Sequence, residues 1–271
     1  MALQNSSKAA AEAAATQYSL GAVALYDDVK DMAADPNVDM IIVSVKVPEH
    51  GLLTEPAILA NKAVFVEWPL GKSLEEAEHL AKLAQERNLK TQVGLQARQS
   101  PAVCKVKAMV EAGQLGQILG TKMIAYGAIL GATATVDMAY TFPIENGANL
   151  VTIPFGHAVD ALCYALGEFS SLQATLAVNS KESSVVDGEG KEIRKISKSS
   201  HDFVAVQGAL VNGGVASIVY QGGMSTTGKN FYWEINGQKG SLVLVSALML
   251  ETTVNADLKF AGRTHGSYPN V

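Results

Sequence analysis

Residues 38–50 read Val-Asp-Met-Ile-Ile-Val-Ser-Val-Lys-Val-Pro-Glu-His ("VDMIIVSVKVPEH"), and residues 62–71 read "KAVFVEWPLG". Residues 40–47 are almost continuously apolar and β-branched. Such a run predicts a strand buried on both faces, as in a parallel sheet. Pro48 stops it, because proline brings no N–H to a ladder, and His50 opens the following loop. Residues 51–61 then read as a helix, and "AVFVE" as a second buried strand. Ser73-Leu74-Glu75-Glu76 is a capping box; it starts a helix whose apolar face is Ala77, Leu80, Ala81 and Ala84. "KTQVGLQAR" reads as a third strand. Ser100-Pro101 supplies an N-cap and a first-turn proline, and the helix they start runs to a terminal Gly113.

The same alternation extends upstream. Ser6 or Ser7 caps an alanine-rich helix over residues 8–18. "AVALYDD" is a short strand and turn, and "VKDMAADPNV" a short helix ended by Pro36. Strands and helices alternating over residues 1–112 predict a doubly wound α/β (Rossmann) domain. From about residue 117 the texture changes. "GQILGTKMIAYGAIL" predicts a long strand, "FVAVQGALVNGGVASIVYQGG" a hairpin turning at Asn212-Gly213-Gly214, and "FYWEINGQKGSLVLV" another. One helix, about 155–166, lies among them, and the polar stretch 179–200 reads as an exposed excursion. The expected organisation is a doubly wound domain over 1–115, followed by an α+β domain over 116–271 with an open, mainly antiparallel sheet.

The chain has 271 residues and a net charge of −5, with no basic block. This predicts no direct nucleic-acid partner. No apolar run reaches the roughly 18 residues of a membrane span. The first residues carry neither a charged nor an apolar leader segment, so an intracellular, cytoplasmic location is expected. Cys104 and Cys163 have no metal-site spacing, and no metal site is expected.

A doubly wound nucleotide domain normally opens with a strand and a G-x-G-x-x-G turn for the pyrophosphate. No such pattern follows a strand here. "ALQNSS" reads as the tail of a strand and a helix cap, so the first βα unit is expected to be absent. "GRTHGSYPNV" stops without a closing element, and a chain shortened at both ends is the expectation.

These segments together resemble the glucose–fructose oxidoreductase / inositol dehydrogenase (Gfo/Idh/MocA) family. "VDMIIVSVKVPEH" resembles its strand ending in proline and histidine, and "KAVFVEWPLG" its strand ending in Glu-Lys-Pro. "VGLQARQSP" with "EAGQLGQIL" resembles its G-x-x-x-R-x-x-P run and crossover. "GHAVDALCYALGE" resembles its active-site helix, and "WEINGQKGSLVL" its late hairpin. "VEWPLG", "GLQARQSP", "NGANLVTIPFGHAVD" and "NSS" are closest to the fungal galactose-repressor branch. The resemblance implies an NAD(P)-binding protein acting on a sugar or polyol hydroxyl. For the repressor branch it implies instead a nuclear regulator that binds an activator protein, and in both cases a homodimer.

By the same resemblance, cofactor contacts fall on Asn5, Ser6, Ser7, Val47, Pro48, His50, Glu67, Trp68, Pro69 and Arg98, and the catalytic base on His157. Trp68 stands where the enzymes keep a lysine. An indole offers one N–H and no charge, so it cannot polarise an alcohol as an ammonium does; it either stacks on a flat ring or fills the cleft. Ile153 stands where an aspartate usually accompanies the histidine, and Thr152 is no substitute. Asp160 is one turn on and can orient or cap. Tyr126 and Tyr140 are further acid groups that nothing in the sequence selects. Asn5, Ser6 and Ser7 carry no carboxylate, which leaves NAD and NADP equally open, or are only a helix cap. His50 is either a cofactor contact or a satisfied loop histidine. Arg98 is either a ligand contact or half of a salt bridge.

Overall fold

The computed structural model describes residues 1–127, 130–246 and 257–262. The part of the expected long strand at 128–129 and the final stretch 263–271 lie outside the described residues. The chain divides into two compact units, Met1–Gly94 and Leu95–Val271. The division falls earlier than the expected boundary near 115. The reason is that the helix Pro101–Glu111 packs its Val103, Val106 and Met109 into the core of the second unit.

The first unit runs β1 (Ala2–Gln4), α1 (Lys8–Gln17), β2 (Ala24–Tyr26), α2 (Val29–Ala34), β3 (Met40–Val43), α3 (His50–Leu59), β4 (Ala63–Glu67), α4 (Leu74–Glu86) and β5 (Thr91–Gly94). All its ladders are parallel, but they form two separate sheets, β1–β2 and β3–β4–β5. Ser7 caps α1 through the Ala10 N–H, and Ser73 caps α4 through the Glu76 N–H. The Glu76 carboxylate takes the Lys72 N–H. Ile41, Val43, Val64 and Val66 pack with Ala33, Ala57, Ile58 and Leu80 of the helices.

One expectation fails here. The run 40–47 is not a strand buried on both faces: pairing stops at Val43, and Met40 and Ile42 are 52% and 60% exposed. Ile41 and Val43 meet the helices, while Met40 and Ile42 lie on the exposed face. Ser100 stands at the N-cap with Pro101 in the first turn, as expected, but its side chain makes no capping hydrogen bond among the described residues.

The second unit contains α5 (Pro101–Glu111), β6 (Ile118–Gly127), β7 (Thr133–Thr135), α6 (Gly156–Leu166), β8 (Phe169–Ala177), β9 (Glu182–Val186), β10 (Glu192–Ser197), β11 (Phe203–Leu210), β12 (Val215–Gly222), β13 (Phe231–Gly237), β14 (Gly240–Ser246) and β15 (Asp257–Gly262). Seven strands form one sheet in the order β15-β14-β13-β6-β12-β11-β8, antiparallel at every pairing except β6–β12. Gly213 and Gly214, at φ 93° and 86°, turn the chain between β11 and β12, a conformation glycine reaches without strain. The expected polar excursion is the hairpin β9–β10, extended by β7.

One face of this sheet carries Met123, Ala125, Tyr220, Ile218, Phe231, Trp233 and Ile235, packed with the apolar sides of α5 and α6. Trp233 is fully buried, and its indole N–H donates to Thr121 Oγ1 at 2.8 Å. That hydroxyl in turn donates to the Glu234 carbonyl, so a polar pair in the core is satisfied. The opposite face shows exposed Ile124 and Val245 beside Lys122, Tyr232 and Glu234.

Candidate functional site

In the first unit the expected residues gather at the carboxyl ends of β3 and β4, where open α/β sheets place ligands. Val47 and Pro48 form a short 3-10 turn leading into α3. His50 is buried, with Nδ1 2.8 Å from the Pro69 carbonyl and Nε2 3.1 Å from the Val45 carbonyl. Both ring nitrogens are thus directed at backbone that follows two adjacent strands. A neutral imidazole carries one N–H and donates to one of these two carbonyls, so both ring nitrogens face backbone while one of them makes the hydrogen bond. Trp68 is half-buried and joined to Pro69 by a cis peptide bond. A Cβ on Gly94 would lie 2.6 Å from Glu67 Oε2, so the bare glycine at the end of β5 is what admits the Glu67 carboxylate.

Asn5, Ser6 and Ser7 close β1. Asn5 Oδ1 accepts the Ser6 N–H, and Ser7 Oγ accepts the Ala10 N–H. The Asn5 and Ser7 side chains are therefore used in starting α1, while the exposed Ser6 faces solvent. No G-x-G-x-x-G turn occurs in the sequence. No hydride step is derived from these residues.

In the second unit His157 lies near the start of α6, directly after a π-helical turn, Val151–Phe155. That turn is secured by buried Asn149, whose Oδ1 accepts the N–H groups of Val151 and Thr152. Thr152 donates its hydroxyl to the Gly147 carbonyl at 2.6 Å. Ile153, at the position of the missing carboxylate, belongs to this turn. Burial pushes the His157 imidazole below its usual range, and the Asp160 charge opposes that shift only in part. Burial also raises Tyr140.

Asp160 is held elsewhere. Arg98 reaches it with Nε at 2.9 Å and Nη2 at 2.5 Å. This two-pronged geometry is the strong form of the pair, and the hydrogen bond to Asp160 raises Arg98 further. The guanidinium also sits 5.5 Å from the Tyr164 ring centre. Arg98 is therefore engaged with the start of the second unit's helix, which is its salt-bridge alternative. Sequence reading missed the pairing because 62 residues separate the partners. A second cluster escaped it too: Lys198 and Asp202, both buried, pair at 3.3 Å, and Asp202 also accepts the N–H groups of Asn179 and Ser180. No group of metal-ligating side chains occurs among the described residues. Nor does any described helix have the length and apolarity to cross a membrane.

A parallel α/β unit with residues gathered at its strand ends, followed by an open sheet carrying one histidine-bearing helix, is an oxidoreductase-type architecture. Residues 1–95 match the oxidoreductase family with an NAD-binding Rossmann fold, and residues 101–246 match the Gal80p C-terminal domain. The chain belongs to this family, on the side of the Gal80p-type C-terminal domain. It is 37% identical to a dehydrogenase of Aspergillus oryzae, aclE, over 89% of this chain and 66% of that protein. It is 30% identical to the galactose/lactose metabolism regulatory protein GAL80 of Saccharomyces cerevisiae, over 90% of this chain and 59% of that one. The crystal structure of a super-repressor mutant of the yeast Gal80p superimposes with a TM-score of 0.89 at 28% identity, covering 97% of this chain and 71% of that chain. The chain thus spans about three-fifths to two-thirds of the curated relatives it matches.

Proposed function

We propose that this chain is an oxidoreductase-like protein that engages NAD or NADP and a sugar or polyol hydroxyl, with reduced or absent hydride transfer. The observation that carries this reading is the environment of His157. It is buried, Ile153 replaces the usual carboxylate, and Asp160 is engaged by Arg98. A neutral buried imidazole can still accept a proton, and the position where the resembling enzymes carry a carboxylate is Ile153 here. Trp68 removes the cationic partner of the alcohol. Loss of one positioned acid or base costs about 10²–10⁴-fold. Ser6 and the ends of β3 and β4 are the cofactor-side contacts in this reading.

The second reading is a regulator that binds an activator protein, which implies a nuclear location. The same Trp68 and Ile153 favour it, because each puts an uncharged side chain where the resembling enzymes carry a lysine or a carboxylate. The exposed Ile124 and Val245 support a homodimer through the open sheet face in either case.

Two experiments separate the readings. Titration with NADH and NADPH, followed by nicotinamide fluorescence, is expected to show only weak binding; saturation in the micromolar range would overturn the view that a pyrophosphate site is incomplete. Turnover on a polyol panel that disappears in His157→Ala would refute the regulator. Trp68→Lys should raise any turnover, and no gain would sink the role assigned to this position.

A further inference from the structure

Residues of α3, α4, β4 and β5 enclose a cavity of about 160 Å³. Ile58 of α3, Val64 and Val66 of β4, and Leu80 and Ala84 of α4 form its walls, and each is at most 5% exposed. The space exists because α4 lines it with Ala81 and Ala84, where longer side chains would fill it. Its exposed lining is Ala81, Thr91 and Gln92, so the mouth lies between α4 and the edge strand β5.

Thr54, one turn after His50 on α3, also lines the cavity. It is 1% exposed, and its Oγ1 has no hydrogen-bond partner among the described residues. A helical threonine can return its hydroxyl to the carbonyl four residues back, and a buried hydroxyl left unpaired is costly. No lining side chain is titratable. These facts set the chemistry of an occupant. A charged molecule would lose its hydration without meeting a counter-charge. A polyol would bury several hydroxyls against one side-chain partner, and a bare hydrocarbon would leave Oγ1 unpaired. A water needs roughly two to four polar partners, and Thr54 is the one buried polar side chain in this lining. A dry apolar cavity of about 150 Å³ accommodates benzene. A six-membered ring bearing one hydroxyl therefore matches both the volume and the single buried polar group.

We propose that this cavity binds one uncharged, single-ring phenol, its ring against Val64, Val66 and Leu80 and its O–H donating to Thr54 Oγ1. A hydroxyl both donates and accepts, so the pair can form in either sense, and a phenol with a pKa of about 10 keeps its proton at neutral pH. The lining belongs wholly to the first unit. None of the residues assigned to the cofactor takes part in it, so phenol occupancy and NAD(P) binding are separable.

The probe is phenol itself, titrated into the full chain with labelled isoleucine, leucine and valine methyl groups and followed by NMR. Saturable shifts are expected at Ile58, Val64, Val66 and Leu80, with none at Ile218 or Ile235, which are buried in the second unit. Thr54→Val keeps the size of the side chain and removes its hydroxyl. It should weaken phenol about tenfold and leave benzene within about twofold of the parent. Ala84→Leu should abolish binding of both by filling the space; where that variant does not fold, the Thr54→Val comparison decides alone. Methyl signals that phenol leaves unmoved, as for a cavity holding water only, would overturn the proposal. So would equal phenol affinity in the parent and Thr54→Val, or phenol binding that persists in a folded Ala84→Leu.

Discussion

Arg98→Leu tests the assignment of Asp160. Three hydrogen bonds run from the guanidinium to a carboxylate whose side chain is 13% exposed, against 44% for the arginine. Hydrogen bonds to charged groups contribute about 1.5–3 kcal/mol, and the exposure of the arginine discounts this, so the cost is about 1–2 kcal/mol. For a unit of this size that lowers Tm by roughly 2–8 °C. The functional consequence concerns the titration of His157. In the parent, burial holds its pKa down while Asp160 acts the other way. Removing Arg98 leaves the Asp160 charge uncompensated, so the imidazole should titrate higher, toward its ordinary value. Arg98→Leu with Asp160→Asn should return it to the low side. The assay is NMR titration of the ring protons of the five histidines, with His157 assigned by its loss in His157→Gln. An unchanged His157 titration in Arg98→Leu would refute the claim that Arg98 holds Asp160 away from chemistry. The sign has a counterpart in stability. A histidine held below its unfolded value contributes stability above about pH 6.5, which is lost as pH falls through the folded value; Arg98→Leu should soften that loss.

Three further outcomes follow from the second unit. Asp202→Asn leaves the Lys198 ammonium, 1% exposed, without its counter-charge, and should cost about 3–5 kcal/mol in urea unfolding; replacing both residues by apolar ones should cost far less. Burial opposes ionisation of Asp202, but the Asn179 and Ser180 N–H groups and Lys198 outweigh it, so its contribution holds above about pH 3.9 and is lost as pH falls through the lower folded value. At pH 8, Cys163, pushed up to about 12 mainly by burial, should resist a thiol reagent until the protein unfolds, while exposed Cys104 reacts in the native state. Ile124→Asp on the open sheet face should shift mass in light scattering from dimer to monomer, and a parent already monomeric would remove the dimer from consideration.

Much of the fold was legible because it is local. Period-2 apolar alternation and a Gly-Gly turn specify β11–β12, and hydroxyls before alanine- or glutamate-rich runs specify the starts of α1 and α4. The reading of residues 40–47 failed for a physical reason. A continuous apolar run reports the burial for which a segment is suited, and the burial realised at Met40 and Ile42 depends on a layer the described first unit does not contain. The replacements at Trp68 and Ile153 were visible residue by residue. What His50 and Arg98 actually do was not, since both are decided by partners brought close only by folding: a backbone carbonyl 19 residues away and a carboxylate 62 residues away.

The one parallel pairing in the large sheet, β6 with β12, sets the order in which that sheet can assemble. Val215 lies opposite Gly120, a separation of 215 − 120 = 95 residues. An antiparallel neighbour can follow its partner through a tight turn, but a parallel one waits for a crossover. At a ribosome adding about 5–20 residues per second, β6 emerges roughly 5–20 s before either of its neighbours. The centre of the sheet therefore waits for the hairpins β11–β12 and β13–β14, each made from neighbouring sequence, to flank β6, and the edge strand β15, made after them, pairs with β14.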